Sequence, residues 1–213
     1  GLAGILGVLI KIQKTMLDSS RVTELTQNLS EGIVQKILEK YKKDGFWIEN
    51  DPGYAHGNYG IITQLYRYSL SNTCKSDVKT SIISCIKEYL DKERSLLCGK
   101  KDFPLRKNAK YYSWCNGIVG IVNAKNYLET NEFPDKFLKT EVQDFSNKIL
   151  NQDPTLDNSI CHGSIGNLVI LDSILGYSVD IENRIATESI SYLWDKETYE
   201  CDDWGILTGE MGI

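Results

Sequence analysis

Two short stretches place a cysteine two residues ahead of a pair of glycines spaced three apart. They are SWCNGIVG at 113–120 and SICHGSIG at 159–166. The second adds His162 beside Cys161, in a chain that has only 2 histidines. Cys sulfur and His nitrogen are donors that suit Zn²⁺, which takes them in a tetrahedral shell. Cys115, Cys161 and His162 make three protein donors, and three leave a fourth position open, as catalytic zinc sites require. The other histidine, His56, directly precedes the glycines of GYAHGNYG at 53–60 and so stands in the slot of His162. Imidazole titrates ordinarily near neutral pH, so a histidine at such a site can give or take a proton. Read one at a time, a cysteine ahead of a helix is usually a small buried hydrophobe and a histidine usually a satisfied polar residue. No linear C-x-x-C zinc signature is present. The metal reading therefore rests on separate segments converging.

Convergence needs a scaffold that repeats. G-x-x-G recurs as GLAG at 1, GNYG at 57, GIVG at 117, GSIG at 163 and GEMG at 209, at intervals of 56, 60, 46 and 46 residues. The first four copies lead into apolar helical runs at 5–17, 61–70, 121–129 and 167–175. Each run gives way to a polar break and then to a more amphipathic helix, at 22–43, 76–94, 136–150 and 180–194. In the first of these, Leu25, Leu29, Ile33, Ile37 and Leu38 fall at helical spacing. Strand-like alternation is nearly absent. The expectation is an all-α chain of inner apolar and outer amphipathic helices, stacked as an open solenoid or an α/α toroid. Every G-x-x-G then lies at one end, where glycine permits a sharp turn and close approach of the inner helices.

The totals exclude other classes. A net charge of -5 and a pI of about 5.2 speak against a nucleic-acid surface. The apolar opening GLAGILGVLI is far short of a membrane span, and it lacks the basic leader of a signal peptide. The 6 cysteines are too sparse for a disulfide scaffold, so a reducing, cytoplasmic setting is expected. Cys74, Cys85, Cys98 and Cys201 read as small buried hydrophobes, with Cys85 on a helical face shared with Ile82 and Ile86. Residues 1–213 read as one partial domain cut at both ends, which would leave the 5–17 helix with a bare apolar flank.

YSWCNGIVGI, SICHGSIGNL and GYAHGNYGI together resemble the lanthionine synthetase C-like cyclases. CHGSIGN and the closing GILTGEMGI look most like the C-terminal cyclase domain of the class II bifunctional lanthipeptide synthetases. The resemblance covers the whole chain. It implies an α/α toroid of helix hairpins, here an incomplete barrel, with Zn²⁺ at its mouth. The implied reaction adds a Cys thiol of a dehydrated precursor peptide to dehydroalanine or dehydrobutyrine, closing a thioether ring. By resemblance Cys115, Cys161 and His162 match the zinc ligands, and His56 matches an acid/base histidine. An aspartate of the family would lie just upstream of Gly1. Tyr111 stands about where some members have an arginine, with Lys110 adjacent. An upstream dehydratase domain in the same polypeptide is a further implied partner.

Two other readings stay open at this level. One is a different zinc-dependent thiol-alkylating enzyme on an α/α barrel, such as a protein prenyltransferase β-subunit, which needs a basic diphosphate site. GKKDFPLRK at 99–107 is the stretch that would supply it. The other is a toroid that binds peptides or glutathione without catalysis.

Overall fold

The computed structural model describes residues 1–16, 20–49, 51–98, 111–152, 159–176 and 179–194. The described residues form helices joined by turns, with no strand among them. The all-α expectation holds. The chain divides into two compact units, Gly1–Asp51 with Gly57–Pro104, and Pro52–His56 with Leu105–Ile213.

The first unit contains α1 (Leu2–Thr15), α2 (Ser20–Asp44), α3 (Asn58–Ser69) and α4 (Ser76–Leu97). α1 packs on α2 and on α3, and α4 packs on α3 and α2. The core is made by Leu6, Leu9 and Ile10 of α1, Ile62 and Leu65 of α3, and Ile82, Ile86 and Leu90 of α4. Burying each such side chain contributes roughly 1.5–3 kcal/mol.

α1 buries one side only, and Leu2, Ile5 and Val8 are exposed. The buried face of α2 differs from the sequence reading. On α2 the exposed residues include Leu25 and Leu29, while the buried row is Thr26, Ser30, Val34, Ile37, Leu38 and Tyr41. Thr26 and Ser30 are small, so the neighbouring helix can come close. Thr26 satisfies its hydroxyl within the helix by donating to the Val22 carbonyl at 2.8 Å.

The second unit contains α5 (Ile118–Thr130), α6 (Leu138–Leu150), α7 (Ser164–Leu175) and α8 (Val179–Trp194). α5 packs on α6 and α7, and α7 packs on α8. The first helix of each pair is the more deeply buried. Ile118, Val119, Ile121 and Val122 of α5 are wholly enclosed.

The helices after GNYG, GIVG and GSIG begin three residues earlier than the apolar runs alone suggest. Gly57, Gly117 and Gly163 are the N-cap residues, each with extended backbone, and the rest of each motif is the first helical turn. The second glycine explains why this repeats. A Cβ on Gly120 would lie 2.0 Å from the Trp114 carbonyl oxygen, and one on Gly166 would lie 2.2 Å from that of Ile160. In both copies the partner is six residues back, in the turn that carries the cysteine. Only a residue without a side chain lets that turn fold onto its own helix. The fifth motif, GEMG, lies outside the described residues.

Candidate metal centre

The site is built on one turn used twice. In 113–117 and 159–163 the pattern is Ser-x-Cys-x-Gly. Ser113 and Ser159 are buried, and their hydroxyls accept the backbone N–H groups of Asn116 at 3.4 Å and His162 at 3.2 Å. Their carbonyls accept from Gly117 at 3.1 Å and Gly163 at 2.9 Å. Each serine thus satisfies two donors and fixes the cysteine between them. Sequence reasoning missed both serines, although S-x-C-x-G-x-x-G is the longer shared pattern.

The turns are strapped to one another. Trp114 N–H donates to the Cys161 carbonyl at 2.9 Å, and Ala55 N–H donates to the Cys115 carbonyl at 2.9 Å. Ile118 N–H donates to the Tyr111 carbonyl at 2.8 Å. Gly53, which stands in the serine slot of its copy, presses against this backbone, and a Cβ there would come within 2.6 Å of Asn116 Cα. The Tyr54 and Trp114 rings stack nearby, 5.0 Å apart.

This strapping brings the three predicted donors together. Cys115 Sγ lies 3.1 Å from His162 Nε2, and Cys161 Sγ lies 3.8 Å from the same nitrogen. All three donor atoms are within 4.8 Å of one another. Tetrahedral ligands with zinc bond lengths stand about 3.6–3.8 Å apart. Two of the separations bracket that range, so small side-chain adjustments suffice to share one ion. Cys115 and Cys161 are buried, whereas His162 is half-buried and marks the more open side. α5 and α7 begin on these turns, and the positive ends of helices suit anionic sulfur. A buried pair of thiols with one imidazole is the donor set zinc takes, and the residues present fit it.

His56 closes the 52–56 segment that packs on the Cys115 turn. Its side chain is exposed, and it is not one of the three converging groups. Tyr111 meets Lys148 of α6, whose Nζ donates to the phenol oxygen at 2.9 Å. The same ammonium is 4.9 Å from the ring centroid, a single contact at the hydroxyl edge.

The remaining cysteines divide. Cys85 is buried beside Ile82 and Ile86 as expected, and burial pushes its thiol above the usual range. Cys74 is only half-buried and Cys98 is exposed, contrary to expectation. Both sit at helix boundaries, Cys74 ahead of α4 and Cys98 just after it. Cys201, Lys110 and the 99–107 stretch lie outside the described residues.

The profile of the family described as lanthionine synthetase C-like protein matches residues 1–213. The chain belongs to the lanthionine synthetase C-like family. That membership supports a cyclase of the lanthionine-synthetase type in general terms. A search among curated proteins gave no match. In this lanthionine synthetase C-like chain no helix among the described residues is long and apolar enough to cross a membrane.

Proposed function

We propose that this chain closes thioether rings in a dehydrated precursor peptide, adding a Cys thiol to the β-carbon of dehydroalanine or dehydrobutyrine. The observation that carries the reading is the convergence of Cys115, Cys161 and His162 in a lanthionine synthetase C-like chain. These three residues would hold Zn²⁺. Bound there, the ion would supply Lewis acidity that keeps a substrate thiol deprotonated near neutral pH.

The protein's own residues supply the rest. The Ser113 and Ser159 turns hold the sulfurs at fixed positions. A peptide would approach from the side of the half-buried His162. Addition to the β-carbon leaves negative charge on the substrate's α-carbon and carbonyl. His56, on the segment bonded to the Cys115 turn, gives the α-carbon its proton. The setting is cytoplasmic, where precursor thiols stay reduced, and an upstream dehydratase domain would supply the dehydrated residues.

The test is ring closure followed by mass spectrometry after thiol alkylation, against a non-enzymatic control. The complete parent protein should protect precursor thiols from alkylation. His56→Asn should keep its metal and lose that protection. Thiols that stay open at the control rate with the parent protein would overturn the reading. Normal ring formation by His56→Asn would remove His56 from it.

A further inference from the structure

The residue after the second glycine is isoleucine in four of the five G-x-x-G copies: Ile5, Ile61, Ile121 and Ile213. The copy at 163 departs from this and carries Asn167. Asn167 is wholly buried in the first turns of α7, between the buried Ile165 and Leu168. Its Nδ2 donates to the Tyr112 carbonyl at 3.1 Å, across 55 residues of sequence. Its Oδ1 is buried with no hydrogen-bond partner among the described residues. An unsatisfied buried acceptor lowers stability, and the isoleucine used elsewhere in the repeat would avoid that cost. The amide is therefore explained by the bond its donor makes, not by packing.

That bond has a specific address. Tyr112 belongs to the turn that carries Cys115, while α7 begins on the turn that carries Cys161 and His162. A backbone hydrogen bond also joins the two turns, from Trp114 N–H to the Cys161 carbonyl. The two bonds lie on either side of Ser113, so together they fix both position and tilt. We infer that Asn167 is a positioning residue for the metal centre. It holds the Cys115 turn in register with Cys161 and His162, so that the donors are assembled before an ion arrives. This rests on the metal-centre reading above. Groups that orient ligands without touching the ion commonly carry 10–100-fold of affinity.

The full chain, Asn167→Leu and Asn167→Ile are compared. Helicity and thermal midpoint are measured metal-free. Co²⁺ affinity is measured by competition with a chromophoric chelator, together with the visible d–d absorption. The parent should bind one Co²⁺ with tetrahedral bands. Both variants should fold, with a midpoint near the parent's, because the orphan Oδ1 goes while the Tyr112 carbonyl loses its donor. Their Co²⁺ affinity should fall about 10–100-fold, with weakened or shifted bands. Affinity within twofold of the parent in a folded variant would overturn the proposal. So would loss of helicity in both variants, which would make the amide a requirement of the fold. A parent that binds no Co²⁺ is a separate outcome, which sinks the metal-centre reading itself and this inference with it.

Discussion

In the unit that holds α1–α4, two buried polar groups at the start of α3 find their partners within the unit. Asn58, at the start of α3, accepts from the backbone of Trp47 and Ile48 and donates to the Ile48 and Asp51 carbonyls. Tyr59 places its hydroxyl 2.7 Å from both oxygens of the buried Glu93. In the unit that holds α5–α8, the wholly buried Lys125 pairs with Glu141 at 2.9 Å in a similar internal way. Its two lead-in turns do something else. They point soft donors at one another and leave His162 partly open. The hairpin plan is the same in both units. What differs is the content of a few slots around each G-x-x-G. The slot before the first glycine holds His56, Asn116 and His162, and the cysteine slot holds Ala55, Cys115 and Cys161. A repeat fixes where side chains meet, and the residue in the slot decides whether meeting yields structure or chemistry.

The sharpest way to break this comparison is to remove one thiol from each unit. Cys115→Ala should reduce metal affinity by more than the roughly 100-fold that ligand-orienting changes can cost. Cys85→Ala should leave metal affinity unchanged and cost only about 1 kcal/mol of stability from lost packing. Chelator competition and thermal melts on both proteins check this. Equal metal binding by Cys115→Ala would place the ion elsewhere.

Glycine substitutions give the next largest effect. Gly166→Ala drives a Cβ into the Ile160 backbone, which cannot yield as a flexible side chain can. The expected loss is about 3 kcal/mol, together with weaker metal binding, since that turn carries Cys161. Gly32→Ala, inside α2 with open space around it, should instead gain about 0.5–1 kcal/mol. Denaturant midpoints of the two variants decide it. A tolerated Gly166→Ala would mean the turn does not fold onto its helix as described.

How much of this was legible in the sequence follows from the same slots. The helix pairs were legible because apolar runs and G-x-x-G recur together. The motif's place inside the first helical turn was not, because nothing in the glycine spacing separates a turn before a helix from a turn within it. The exposed Leu25 and Leu29 were misjudged because helical spacing marks a row of apolar residues without saying which row a neighbour covers. Here it covers the row of Thr26 and Ser30. Cys115, Cys161 and His162 were legible because reactive donors stood in matching slots. Ser113, Ser159 and Asn167 were not singled out because they bond to backbone groups, and a backbone partner leaves no trace in residue type.

A smaller effect separates the units by pH. Burial pushes the Tyr68 phenol up to about 12, and burial also lifts Tyr41 and Tyr89 above the usual phenol range. All three lie in the first unit. The unfolded chain would ionise these phenols near pH 10, while the folded unit keeps them protonated. Their contribution is full below about pH 10 and is lost as pH rises through the raised folded values. Alkaline titration should therefore unfold α1–α4 between about pH 10 and 12, with tyrosinate absorbance rising in the same step. Smooth ionisation at pH 10 with helicity intact would show these rings to be solvated.

The most direct measurement is zinc K-edge X-ray absorption on the purified full chain loaded with one equivalent of Zn²⁺. The account predicts stoichiometric binding with two sulfur neighbours at roughly 2.3 Å and one protein nitrogen at about 2.0–2.1 Å. The sulfur count should fall to one in Cys115→Ala. A shell of oxygen and nitrogen alone, or a sulfur count unchanged by that substitution, would contradict it.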